Sequence, residues 1–257
     1  MDSTDDDVST SKLVETEEDD EFEILSDSVK ENFFIHKHRW KDNNHEKHKG
    51  VFMVHKKYFD KSLEYRNDLS SSSSWSRVYR KLIENDDGKL EELIDMFSQL
   101  KDTLELKQKE FADVVVTSIQ NIPYFLVHEY SHGTADLLWG GYIKEYHAAG
   151  DSCLEKTKFG VQSPVEFMSN FKGDCDTRSM LCYFILKEFG FDVAILVSEV
   201  YGHSVLGISG NYSGSYVKYE KTKYYAWETT AMGYSPGLLS FDQSNMDYWY
   251  VELSSKK

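Results

Sequence analysis

The chain has 257 residues, of which 40% are hydrophobic and 14% are aromatic, and it contains only three prolines. This composition supports one large domain, or one domain with a helical subdomain, and it excludes an architecture dominated by linkers. No apolar run approaches the ~20 residues needed to cross a membrane, so we expect no membrane span. Three cysteines, at irregular spacing, are too few for a disulfide framework.

The formal net charge of −15 is concentrated at the N-terminus. Residues 1–27 contain twelve acids and a single base, Lys12, so they carry −11 and residues 28–257 carry only −4. We predict that 1–27 form a disordered acidic tail; the alternative is a tail that docks on a basic partner. Basic residues are in excess only around His36–Lys57, and nucleic acid is therefore not an expected partner.

The segment that follows the tail is rich in histidine and lysine. Its five histidines are His36, His38, His45, His48 and His55. A metal site would need further ligands, and no cysteine or tight carboxylate set accompanies them. We predict a solvated basic loop and a helix here.

Between Trp75 and Gln120 apolar residues recur at three- and four-residue spacing, which predicts about three helices. Asp86-Asp87-Gly88 separates the first two, and Asn121-Ile122-Pro123 ends the third. We assign residues 28–122 to a helical N-terminal region and 123–257 to a core region, to which the end of the third helix near Ile119 also contributes.

The core region begins with a loop-rich stretch, a short helix at Val165–Asn170 and a longer helix that starts near Cys175 and stops at Gly190. After Gly190 the apolar period changes from about 3.6 residues to about 2. The predicted strands are Phe191–Val200, Gly202–Ser209 with Tyr216–Tyr219 as its extension, Tyr224–Thr229 and Tyr248–Leu253. Helices followed by closely connected strands indicate an α+β fold with an antiparallel sheet.

Cys175 directly precedes the apolar pattern of the longer helix, in Gly173-Asp174-Cys175-Asp176. A helix N-terminus presents unpaired N–H groups and a positive dipole end, so we expect the pKa of this thiol to be lowered. Cys182 lies two turns further along, about 10 Å away by helix rise, and cannot bridge to it. We interpret Cys175 as a nucleophile and Cys182 as a small core residue.

A thiol nucleophile needs a base, and the base needs an acceptor that orients it. His203 begins one predicted strand and Glu228 ends the next. Two such strands can place the residues as cross-strand neighbours, so that Glu228 holds one imidazole nitrogen while the other faces Cys175.

Taken together, Gly173-Asp174-Cys175-Asp176, Gly202-His203 and Trp227-Glu228-Thr229-Thr230 resemble the transglutaminase-like superfamily. The resemblance covers roughly residues 110–240, and its third position, commonly Asp, is Glu228 here. It implies a papain-like core in which the helix that bears Cys175 packs on an antiparallel sheet. It also implies a thiol enzyme that attacks a peptide or amide bond and forms a thioester, without metal or organic cofactor.

The same resemblance implies a peptide or protein substrate and an oxyanion hole that includes the backbone N–H of Cys175. A tryptophan upstream supplies the second donor in transglutaminases proper, and Trp139 is the possible match. Gln162 and Asp174 are further cleft candidates. A member of this superfamily that only binds peptide, or another domain, is the alternative to an enzyme.

A third hypothesis comes from His128-Glu129-Tyr130-Ser131-His132, which fits the H-E-x-x-H pattern of zinc peptidases. In that pattern two histidines bind zinc from one helical face while the glutamate activates water. Pro123 and Gly133 disfavour a helix around the motif, and no third ligand is evident.

The N-terminus lacks the charge of a secretory signal, so we expect a cytoplasmic protein, or a secreted or periplasmic one if a signal was trimmed.

Overall fold

The computed structural model describes residues 27–131, 134, 145–146 and 153–256. This part of the chain is a mixture of helices and an antiparallel sheet, which confirms the α+β class. None of its helices is long and apolar enough to cross a membrane. The predicted acidic tail, apart from Asp27, lies outside the described residues.

The N-terminal region contains a β-hairpin that the sequence analysis did not predict. After α1 (Asp27–Asn32), β1 (Phe33–Lys41) pairs antiparallel with β2 (Lys47–His55). The prediction of a solvated basic loop here is wrong. The buried face of the hairpin includes the polar side chains of His38 and His48 beside Trp40, so the sequence shows no apolar alternation that would predict a strand. Each is hydrogen-bonded: His38 to Ser118 O, Trp40 to Val114 O and His48 to Asp42.

Four helices follow the hairpin: α2 (Lys56–Asp68), α3 (Trp75–Asp86), α4 (Glu91–Thr103) and α5 (Gln108–Gln120). The last three confirm the predicted helices. Their apolar faces are buried in one cluster, in which Leu82, Leu93 and Phe111 are completely inaccessible to solvent. Helix α5 packs between the hairpin and the core region, and so connects the two parts of the chain.

The stretch before the cysteine helix is mostly irregular. Two short parallel strands, β3 (Leu126–Val127) and β4 (Cys153–Leu154), pair there, and a 3₁₀ turn covers Lys158–Gly160. The predicted short helix is α6 (Pro164–Asn170), which starts with a capping box between Ser163 and Glu166. A buried ion pair between Arg66 of α2 and Glu166, at 2.8 Å, ties this helix to the N-terminal region.

The core region consists of α7 (Cys175–Glu188) and a five-stranded antiparallel sheet. Its strands are β5 (Val193–Ser198), β6 (His203–Ile208), β7 (Tyr216–Tyr219), β8 (Thr222–Trp227) and β9 (Tyr250–Ser254), in the order β7-β8-β6-β5-β9. Tyr216–Tyr219 is a separate edge strand, not an extension of β6, because it folds back on β8 through a tight turn at Glu220. Two 3₁₀ turns, Phe241–Gln243 and Met246–Tyr248, precede β9.

One hydrophobic core runs through both predicted regions. It joins Phe52 of the hairpin and Leu82 of α3 to Ile185 of α7 and Leu206 of β6. A smaller cluster, which includes Val205 and Trp249, covers the other face of the sheet. Helix α7 therefore lies between the N-terminal helices and the sheet, and its first residue, Cys175, meets Ser204 near the start of β6.

Candidate functional site

Cys175 is the first residue of α7, and its position is set by the segment before it. Asp174 caps the helix by accepting a hydrogen bond from Thr177 N at 3.2 Å. Gly173 forms an isolated parallel β-bridge with Tyr124. It also packs so closely against Thr177 and Phe167 that a side chain at this position would collide with both. The predicted helix start and its stop before Gly190, where φ is +78°, are both present.

His203 and Glu228 meet as the sequence analysis expected. Nε2 of His203 lies 2.8 Å from Oε2 of Glu228, and both side chains are largely buried. The other carboxylate oxygen of Glu228 accepts from Thr230 N at 2.8 Å and from Thr230 Oγ1 at 2.7 Å. With both oxygens bound, Glu228 has a fixed orientation and in turn orients the imidazole ring.

The three candidate residues line one cavity of about 700 Å³. The other lining residues are Tyr124, Tyr201, Gly202, Thr230, Ala231, Tyr234 and Gln243. Within the described part of the chain, hydrogen bonds join His203 to Glu228 but do not join Cys175 to either residue. Cys175 and His203 therefore share the cavity without a hydrogen bond between them.

The electrostatics of Cys175 differ from the expectation. Burial raises the pKa of its thiol well above the usual range, and the negative charges of Asp176 and Asp174 add to this effect. The polar groups of Ser204, which follows His203, act in the opposite direction and are weaker. The predicted lowering of this pKa is therefore wrong: the thiol keeps its proton unless a base removes it.

The electrostatics of Glu228 favour its charged form. Burial by itself would raise the pKa of this carboxyl, but the hydrogen bonds from His203 and Thr230 outweigh it and hold the pKa below its ordinary value. Glu228 is thus an anion that accepts from the imidazole, as an orienting group requires.

Arg178, one turn after Cys175, was not singled out from the sequence. Its side chain is completely buried and donates to four backbone carbonyls, those of Gly173, Ile119, Ile122 and Thr229. These carbonyls belong to the segment before Cys175, the end of α5 and the residue after Glu228. One guanidinium therefore connects the three segments that shape the site.

Gln120 and Trp249 also support the site. The amide of Gln120, the last residue of α5, donates to Glu228 O at 2.7 Å and holds the end of β8. The indole of Trp249 meets the His203 ring edge to face, with centroids 6.1 Å apart, and donates to Gln243 O. No local sequence signal marks Trp249, because it reaches His203 only through the pairing of β9 with β5.

The other cleft candidates have different places. Asp174 is a buried helix cap outside the cavity lining, and burial raises its pKa to about 8. Gln162 also lies outside that lining; its amide donates to Lys172 O and accepts from Asn170. Both residues brace the loop before Cys175. Trp139 lies outside the described residues.

The H-E-x-x-H motif does not begin as a helix. His128 directly follows β3 and continues its pairing with the segment around β4. Its N–H donates to Leu154 O, and its carbonyl accepts from Thr157 N. Its side chain is buried, whereas Glu129 is exposed, and His132 lies outside the described residues. Among the residues that are described, no group of three or more His, Cys, Asp or Glu side chains is arranged to hold a metal ion.

Comparison with known proteins does not identify a family for this chain. No family model matches it, and neither a curated protein nor a solved structure does.

Proposed function

We propose that this chain is a transglutaminase-like thiol enzyme with a papain-like core, acting on peptide or amide bonds through Cys175, His203 and Glu228. The observation that carries the proposal is the 2.8 Å hydrogen bond between His203 and Glu228 in the cavity that Cys175 also lines. The α+β arrangement, with Cys175 at the start of a helix packed on an antiparallel sheet, supports it.

In this mechanism the ring nitrogen of His203 that does not face Glu228 takes the proton from Cys175 as the sulfur attacks the substrate carbonyl carbon. The carbonyl oxygen becomes negatively charged, and the backbone N–H of Cys175 at the helix N-terminus stabilises it. The C–N bond then breaks, and the imidazolium returns the proton to the departing amine. A thioester on Cys175 remains.

The second half of the reaction repeats the same proton transfers. Water or a primary amine loses a proton to His203 and attacks the thioester carbonyl, and the sulfur leaves as a thiolate that recovers the proton. Because the pKa of Cys175 is raised, the base is essential in the first step. Glu228 stabilises the imidazolium each time it forms.

Alkylation of Cys175 by iodoacetamide, followed by mass spectrometry of the full chain, tests the proposed base. Cys182, which is completely buried, is the internal reference. We expect Cys175 to react faster than Cys182, and we expect His203→Ala to slow Cys175 at least about tenfold, as loss of a general base does. In parallel, incorporation of a fluorescent primary amine into casein, and casein hydrolysis, report on turnover and should vanish in Cys175→Ala.

The second candidate is a non-catalytic binding module of the same fold, and the raised pKa of Cys175 favours it. The two candidates predict different outcomes. A binding module gives slow alkylation of Cys175 that is the same in the wild-type chain and in His203→Ala. That result, with no turnover of casein, would reject the enzyme.

A further inference from the structure

The outward face of the β1–β2 hairpin carries a concentration of positive charge that the proposed mechanism does not use. Arg39 lies directly opposite Lys49, and Lys41 lies directly opposite Lys47, and all four are exposed. Like charges at directly opposed positions of an antiparallel pair destabilise it. The Lys41–Lys47 pair is therefore a local cost that an anionic ligand would reduce.

These side chains border a groove of about 760 Å³. Trp40 and His48 contribute to its lining together with the four basic residues, and the far wall is Asn121 and Met232. Within the described part of the chain, Lys41, Lys47 and Lys49 form no salt bridge with a carboxylate. The groove thus combines cationic edges with an apolar and aromatic lining, a combination suited to an extended polypeptide.

Along the chain, the far wall of the groove directly follows part of the lining of the cavity that holds Cys175. Met232 directly follows Thr230 and Ala231, which line that cavity. Asn121 holds the connection in place, because its amide contacts Met232 Sδ at 3.0 Å. The lining of the cavity thus passes into the wall of the groove without a break in the sequence.

We propose that this groove binds an acidic stretch of the polypeptide substrate, beside the bond that reacts. The substrate part of the proposal rests on the proposed function, whereas binding of an acidic peptide does not. Along the strands the charged pairs span about 7 Å, which is the length of two to three extended residues. That footprint matches a few carboxylates, and it is small for nucleic acid, whose sites extend along a basic face.

The test measures binding of a fluorescein-labelled hexaglutamate peptide to the full chain with Cys175→Ser, by fluorescence anisotropy. Hexaglutamine of the same length is the neutral probe. We expect hexaglutamate to bind in about 50 mM salt, to weaken as salt rises, and hexaglutamine not to bind. Lys47→Glu with Lys49→Glu should raise the Kd about tenfold or more.

A matched control comes from the other hairpin of the chain. Lys218 of β7 lies directly opposite Lys223 of β8, both are exposed, and neither lines the groove. Lys218→Glu with Lys223→Glu makes the same change in net charge and should alter the Kd less than about twofold. Equal weakening in the two double variants would mean that only net charge matters, and it would overturn the proposal.

Two further binding measurements distinguish the acidic substrate peptide from other ligands that could fill the groove. Tighter binding of a single-stranded oligothymidylate than of hexaglutamate would assign the groove to nucleic acid. Hexaglutamate binding that appears only after Glu15, Glu17, Glu18, Asp19, Asp20, Glu21 and Glu23 are replaced by their amides would assign the groove to the chain's own N-terminal acids. Either result rejects a substrate site. These measurements need no turnover, so their outcome is independent of the alkylation test.

Discussion

Nε2 of His203 lies 2.8 Å from Oε2 of Glu228, although the pairing of β6 with β8 stops before it reaches either residue. The pairing of β6 with β8 sets Leu206 opposite Trp227 and Ile208 opposite Tyr225. If this register were continued past Trp227, Thr230 would stand opposite His203 and Glu228 would be offset by two residues. Diagonal neighbours are about 7–8 Å apart at the backbone, so a long side chain is needed to close the gap. The register gives a physical reason for glutamate at this position.

Shortening this side chain should therefore disturb His203. Glu228→Asp withdraws the carboxylate by one bond, about 1.5 Å, and should slow alkylation of Cys175 about tenfold, because the imidazole loses contact with the group that orients it. Glu228→Gln keeps the reach but loses the negative charge that stabilises the imidazolium, so it should slow alkylation at least as much as Glu228→Asp does.

Glu188→Asp is the matched control, since Glu188 is exposed at the end of α7 and its rate should not change. A wild-type alkylation rate in Glu228→Asp would contradict the diagonal contact.

Asp174 should make the protein less stable as pH rises. Its pKa is raised by burial from the ordinary 3.8 to about 8. Between these values the folded state retains a proton that the unfolded state releases, so the free energy of unfolding falls as pH increases. Asp174→Asn cannot titrate and still accepts from Thr177 N. In urea unfolding at pH 5 and pH 8, the wild-type chain should lose more stability between the two pH values than Asp174→Asn does.

For Glu228 we expect the opposite pH dependence of the free energy of unfolding, which provides a comparison with Asp174. Its pKa is held below the ordinary 4.5, so its stabilising contribution is present above that pH and is lost as pH falls through the lower, folded value. Parallel pH profiles for Asp174→Asn and the wild-type chain would show that Asp174 does not titrate in this window.

Arg178 should be among the most sensitive positions of the fold. Arg178→Met leaves four buried carbonyls without their donor and should lower the free energy of unfolding by about 3–5 kcal/mol. Arg178→Lys keeps the charge but cannot reach all four carbonyls, so it should be intermediate. Urea unfolding measures both, and Arg80→Met on the exposed side of α3 should stay within about 0.5 kcal/mol of wild type.

Gly173 should couple packing to reactivity. A Cβ at this position would lie 2.9 Å from Thr177 Cγ2 and 3.0 Å from Phe167 Cε2. Gly173→Ala should therefore cost about 1–3 kcal/mol and, by shifting the start of α7, slow alkylation of Cys175. Gly190→Ala is the control: its surroundings are open and its φ is +78°, so it should lower stability without changing the alkylation rate.

Much of the local structure was predictable because its signals are local. The periodicity between Trp75 and Gln120 marks three helices, and Gly190 marks the end of α7. The change of period after Gly190 indicates the strands that bring His203 and Glu228 together. The hairpin escaped prediction because its buried face includes His38 and His48, whose partners on α5 and in the turn are known only after folding.

Residue types and spacing were enough to identify the proposed catalytic residues and their elements: Cys175 at a helix start, His203 at the start of a strand and Glu228 at the end of another. The electrostatic state of these residues, in contrast, depends on the tertiary structure. A helix N-terminus alone favours a thiolate, but burial beside Asp174 and Asp176 raises the pKa of Cys175. The tertiary structure also brings the buried guanidinium of Arg178 to backbone carbonyls of all three segments that shape the site. Desolvation and long-range hydrogen bonds depend on which groups meet in space, and sequence spacing does not encode that.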